Sequence, residues 1–211
     1  GVDPAKRNSR HHGRAPLHWA ARNGHAEVCQ WLLDSGREVA PDMETDNGET
    51  PLMLAAWQGH VSVCRLLLDA KADAHHLNCS GCNAMHKAAR MDGAASSVEM
   101  LRLLHSFGVD PLMANSNGHN ALHKAAQHGS RDAVHWLLDE AGCRCRAALG
   151  QDRDRNSPSA VALAAGYRSL ASEVRHVEDT LWLVPALFNT AGLSAAGSLP
   201  EESAGTDAEV K

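Results

Sequence analysis

Fourteen histidines and six cysteines are the side chains with which this sequence of 211 residues could carry chemistry. Their densest grouping is His75-His76-x-x-Cys79-x-x-Cys82, where a Cys-x-x-Cys spacing suited to zinc follows two histidines able to complete a tetrahedral set. The ligand number is right and the geometry is poor. Cys79 and Cys82 straddle Gly81, a turn residue, and two adjacent histidines are hard to aim at one ion, so neither a metal nor another cofactor is expected. No nucleophile stands in a recognisable frame with a base, and neither a phosphate-binding glycine loop nor a close carboxylate dyad is visible, so an enzyme is not expected. Basic residues gather at Lys6, Arg7, Arg10, Arg14 and Arg22 among His11 and His12, which reads as a solvated N-terminal stretch, its arm proper being residues 1–12.

Composition sets the outer bounds. Hydrophobic residues make up 44% and charged residues 21%, as in an ordinary globular chain, and the net charge of −5 gives no basic footprint for nucleic acid. No run approaches the ~20 apolar residues of a membrane span. The chain starts at Gly1 with no apolar signal segment, so it reads as processed or truncated. Cys29 and Cys64 fall inside apolar helical patterns, which points to free thiols in an intracellular, reducing compartment, cytoplasm and organelle interior being equally open.

The elements that must position these residues recur. Ala15-Pro16-Leu17-His18-Trp19-Ala20-Ala21 aligns with segments beginning at Thr50, Asn83, Asn120 and, in degraded form, Ser157. The starts are 35, 33, 37 and 37 residues apart, a unit of 33 with insertions of 2, 0, 4 and 4. Thr, Asn or Ser suits a helix N-cap, and Pro suits the next position, where its missing N–H is harmless. Gly13, Gly48, Gly81 and Gly118 precede these starts as turn residues, and Gly24, Gly59 and Gly129 are placed to stop the first helix. A second helix follows, with the stripe Val28, Cys29, Leu32, Leu33 repeated as Val63, Cys64, Leu67, Leu68 and as Ala133, Val134, Leu137, Leu138. In the third unit the stripe is Met100, Leu101, Leu104 and His105, displaced by four residues that should enlarge the turn within 90–96.

Period and motif together resemble the ankyrin repeat family, whose signature is Thr-Pro-Leu-His-x-Ala in a 33-residue unit. The resemblance covers residues 13–177. It implies an all-α solenoid of about five helix–turn–helix units linked by β-hairpin loops, with His18, His86 and His123 bonding backbone between repeats. Adjacent layers then hold Cys29 and Cys64 further apart than a disulfide allows, and put Cys143 and Cys145 two repeats from Cys79 and Cys82. The fifth unit departs from the pattern, with Arg155 in place of the turn glycine and Ser159 in place of Leu, as a terminal cap would.

The family works by binding proteins in a concave groove built from hairpin tips and first helices. Carried over residue by residue, the partner-binding set is Arg14, Trp19, Arg22, Glu49, Trp57, Gln58, Lys87, Arg90, Met91, His119, Gln127 and His128. One or more partner proteins are expected, with no nucleic acid and no self-association. The function is a non-catalytic adaptor or scaffold, or alternatively an accessory subunit built into a large complex, an organellar one included. Beyond the repeats, Leu170, Val174, Val177, Leu181 and Val184 form one stripe of a helix that Pro185 should end. Trp182 and Phe188, in the apolar extension 178–188, are candidates for a second partner contact. Residues 189–211 have the Gly, Ala, Ser and Glu-rich composition of a disordered tail.

Overall fold

The computed structural model describes residues 12–35, 39–91 and 95–192, except the side chains of 95–96 and 182–192. The basic arm before His12 and the tail beyond 192 fall outside the described residues, as do the side chains of Trp182 and Phe188. Ten helices follow in chain order: α1 (Pro16–Arg22), α2 (Ala26–Asp34), α3 (Pro51–Gln58), α4 (Val61–Asp69), α5 (Ala84–Ala88), α6 (Ala95–Ser106), α7 (Ala121–His128), α8 (Arg131–Asp139), α9 (Pro158–Ala164) and α10 (Arg168–Gly192). They form five antiparallel pairs at the starts expected from the repeat, and no strand occurs among the described residues.

Odd-numbered helices pack on one another in one row and even-numbered helices in a second. The motif explains why. Thr50, Asn83, Asn120 and Ser157 each accept the backbone N–H three residues on, so the first turn of each helix is capped. The alanine pairs Ala20-Ala21, Ala55-Ala56, Ala88-Ala89 and Ala125-Ala126 are buried and let neighbouring backbones approach. Leu17, Leu52, Met85 and Leu122, at one repeat position, are fully buried beside them. No pair could bury these residues alone, so the stack is the core. Gly24 and Gly129 serve a second purpose. Each has a positive φ, and a Cβ there would fall 2.6 Å from the His60 ring and 2.3 Å from the Tyr167 ring. The ring that starts a second helix therefore closes on the glycine of the preceding repeat.

Loop tips carry their own ladder. Thr45, Asn78, Asn115 and Asp152 open the tips, and each side chain accepts the backbone N–H four residues on. Successive tips are tied by single bonds, from Asp46 N–H to the His12 carbonyl, Cys79 to Asn47, Ser116 to Ser80 and Arg153 to Asn117. Two of the three motif histidines add rungs; His123 does not, because its buried Nε2 meets no hydrogen-bond partner among the described residues. Nε2–H of His18 donates to the Glu49 carbonyl at 3.1 Å and that of His86 to the His119 carbonyl at 3.0 Å, which leaves each Nδ1 to accept its own helix-start N–H.

Four details differ from expectation. Val28 is 47% exposed, since no described element packs on that side of the α2 stripe; of its four residues Cys29 and Leu32 are buried. In the third unit the extra residues do more than enlarge a turn. The loop does lengthen, its centre lying outside the described residues, but α5 shortens to 5 residues and α6 lengthens to 12, against 8 and 9 in the second unit. Its stripe residue His105 is exposed and meets Trp136 edge-on at 5.8 Å. Pro185 does not end α10, which continues to Gly192. Finally, Arg155 takes the left-handed conformation of the missing glycine, with φ 65°.

The degraded fifth motif has a structural reason. Glu178 of α10 is buried and its carboxylate accepts from the Ser159 hydroxyl at 2.6 Å, the Ser159 N–H at 3.0 Å and the Ser157 hydroxyl at 3.1 Å. A leucine at 159 could not answer that carboxylate. Leu170 and Val174 of the stripe are buried, with Val177 and Leu181 packed against the core.

Candidate functional site

Because the repeats are in phase, equivalent positions on the first helices line up across layers. The position held by Arg22 recurs as Trp57, Arg90 and Gln127, and that of Trp19 recurs as Leu54, Lys87 and Lys124. The Trp57 ring consequently has the Arg22 guanidinium 5.8 Å from its centroid and that of Arg90 at 5.6 Å. Trp19 in turn has Arg14 at 5.1 Å and Arg22 at 6.0 Å. Arg90 closes the series by donating Nε–H to Nε2 of His128 at 3.1 Å. Arg14, Trp19, Arg22, Trp57, Arg90 and His128 thus form one contiguous chain over four repeats, each of them half-buried. Burial first, then the charges of Arg90 and Lys124, lower the pKa of His128, in keeping with its accepting role.

Charge is distributed unevenly between the two rows. None of the five first helices contains an Asp or Glu, whereas every second helix contains at least one. Among the described residues, Arg14, Arg22, Arg90 and Lys124 have no carboxylate partner. Lys124 donates instead to the Gln127 side-chain oxygen at 3.1 Å, and burial followed by the nearby Arg90 and Lys87 charges depresses its pKa, Cys82 opposing them. On the second-helix side several cations do pair: Arg102 with Glu140, Arg131 and His135 with Glu173, and Arg144 with Asp139. Its two clefts, about 690 Å³ between α2 and α4 and about 640 Å³ between α8 and α10, are open and are lined by residues such as Arg65, Asp69, Arg131 and Glu173.

A family model of ankyrin repeats in three copies matches residues 1–78 and 70–148. The chain belongs to the ankyrin repeat family. No curated protein matches the sequence. Ankyrin repeats are generally protein–protein interaction modules and typically non-catalytic. No described helix is long and apolar enough to cross a membrane.

Within this ankyrin array the candidate residues take different places. Trp19, Arg22, Trp57, Gln58, Arg90, Met91, Gln127 and His128 lie together on the first-helix face, with Gln58 exposed and the rest half-buried. Glu49 and Lys87 meet as an ion pair whose side chains are only 14% and 10% exposed, so each answers the other. His119 sits in a loop tip, its ring 2.9 Å from the Asp152 carboxylate. Burial raises the Asp152 pKa, but the Asn156 N–H and the His119 bond outweigh it and hold the carboxyl below its ordinary value. Trp182 and Phe188 stand on α10 with side chains outside the described residues. The His75–Cys82 cluster disperses: His76 Nε2 donates to the Gly48 carbonyl at 3.2 Å, Asn115 donates to Cys82 Sγ at 3.3 Å, and Cys79 is exposed at a tip.

Sequence reasoning passed over Lys124 and Glu178. Lys124 shares the repeat position of Trp19 and Lys87, a phase signal that points to this face. Glu178 carried no local signal, since only the packing of α10 on α9 brings it to Ser159.

Proposed function

We propose that this ankyrin array binds a partner protein along the outward side of its first helices. The observation that supports this most is the series Arg14–Trp19–Arg22–Trp57–Arg90–His128, in which aromatic and guanidinium groups enriched at protein interfaces are stacked in one line. Stacking holds these side chains in place before a partner arrives, which lowers the ordering cost of association. The chain then acts as an adaptor or scaffold. Cys29, Cys64 and Cys143 are free and buried, in keeping with a reducing compartment. A built-in subunit of a large complex is the second reading, favoured by α10, which at 25 residues far exceeds the nine of α2, α4 and α8. Trp182 and Phe188 would then contribute a second contact.

Two measurements decide. Trp57→Ala and Arg90→Ala should each weaken partner binding by about 2 kcal/mol with the helical circular dichroism unchanged; full affinity in both variants moves the interface off this face. Native purification with crosslinking mass spectrometry separates the readings, a stoichiometric assembly marking a subunit and substoichiometric clients an adaptor.

A further inference from the structure

We propose, on the reading of the first-helix face as the partner site, that the segment it takes is an acidic peptide: an extended stretch with Asp or Glu two or three positions apart. The chain as a whole carries −5, so a basic face is not a by-product of composition. It arises because all the first helices lack acidic residues while Arg22, Lys87 and Lys124 sit on them and Arg14 and Arg90 flank them. Lys87 is neutralised by Glu49; the other four cations have no carboxylate among the described residues. The acidic residues bordering the face are on loop tips, where Asp152 holds His119 and Asp46 and Asp154 stand exposed.

What the cations do instead determines what they can bind. A guanidinium lying over an indole keeps its charge, and its N–H donors lie in the guanidinium plane, free to form paired bonds to a carboxylate. Arg22 and Arg90 both lie over Trp57, so their charges are separated by no more than the sum of 5.8 and 5.6 Å. An extended chain rises about 3.3 Å per residue, which brings carboxylates two or three residues apart within that span. A cationic ligand is disfavoured by the same arrangement, since both faces of the problem, Trp19 and Trp57, already carry arginines.

The test is fluorescence anisotropy on the whole chain with two labelled peptides, one alternating Glu and Gly and one alternating Gln and Gly. The glutamate peptide should bind, weaken steeply with added salt, and lose about tenfold in affinity on Arg22→Gln or Arg90→Gln, as loss of a charge-assisted pair implies. Arg102→Gln, from an ion pair on the other row, should leave binding unchanged. Equal binding of the two peptides, or indifference to both groove variants in protein that melts normally, overturns the proposal. So does a single-stranded oligonucleotide that binds more tightly than the glutamate peptide. A photo-crosslinker at Gln58 separates this failure from that of the underlying reading. Crosslinks to a partner segment without acidic residues overturn the acidic preference and leave the face as the partner site. Crosslinks forming only from a probe at Arg65, on the second-helix row, overturn both.

Discussion

The two rows of helices put some of their arginines to different use, although Arg65, Arg168 and Arg175 of the second helices have no carboxylate partner among the described residues. On the second helices Arg102 and Arg131 reach carboxylates across repeats and tie the stack together through exposed ion pairs, and Arg144, in the loop after α8, pairs with Asp139 of its own repeat. In the first-helix row Arg22, on α1, and Arg90, just beyond α5, reach across repeats as well, yet what they meet is Trp57. Both arrangements hold neighbouring layers in register. Only the second leaves the cation's hydrogen-bonding capacity open, and a surface that satisfies itself internally has less to offer a partner. The comparison separates arginines that serve the stack from arginines positioned for something outside it.

The largest effect should come from the one place where the first-helix row does pair its charges. Glu49→Ala leaves Lys87 buried without a counter-charge and should cost about 3–5 kcal/mol in urea unfolding. Glu49→Gln with Lys87→Met should recover much of it; a single Glu49→Ala within 1 kcal/mol of wild type, by about the standard of an exposed pair, would mean that this pair is no different from those of the other row. Next is the cap. Glu178→Ala removes three bonds to Ser157 and Ser159 and should cost about 2–3 kcal/mol, with hydrogen exchange rising first in α9 and α10. Exchange that rises uniformly would show that the cap and the repeats unfold together.

Acid should weaken the stack where the motif histidines are buried neutral. His86 and His123 are pushed down to about 4, chiefly by burial, so the folded chain resists taking protons that the unfolded chain accepts near pH 6.5. Their contribution is full above pH 6.5 and is lost as pH falls from there through about 4, by on the order of 2–3 kcal/mol per histidine at the limit. Thermal melts should fall across that window, and His86→Gln with His123→Gln should flatten the slope. A slope unchanged in the double variant would assign the acid sensitivity to the carboxylates, Asp152 first. The smallest effects are the most pointed. Arg102→Gln and Arg22→Gln should each cost about 1 kcal/mol or less in stability, the former from an exposed ion pair and the latter from a stack on Trp57. Added salt should erase the first and leave the second largely in place; identical salt behaviour would remove the distinction between the rows.

Much of the fold was legible because repetition exposes it. Thr50, Asn83, Asn120 and Ser157 mark helix starts by their own capping chemistry, and the paired alanines mark where backbones must approach, so these assignments rest on neighbours a few residues away. Repeat phase also placed Trp57 and Arg90 on one face. It did not show that Val28 would be exposed, because exposure depends on which neighbours pack beside a position and not on its own repeat phase. Nor did it anticipate that α6 would gain a turn while α5 lost one, since a boundary between two short helices depends on which packs better in the stack.

By itself, the sequence determined the period, the helix starts and the absence of acidic residues from the first helices. These are properties of local pattern, and every copy of the motif states them again. Only the tertiary structure decided that Arg22 and Arg90 close on Trp57, that Glu49 reaches Lys87, and that Glu178 answers Ser159. Each of these contacts joins residues of different repeats. Long side chains choose among several neighbours once the layers are stacked, and burial then makes one choice far more favourable than the rest.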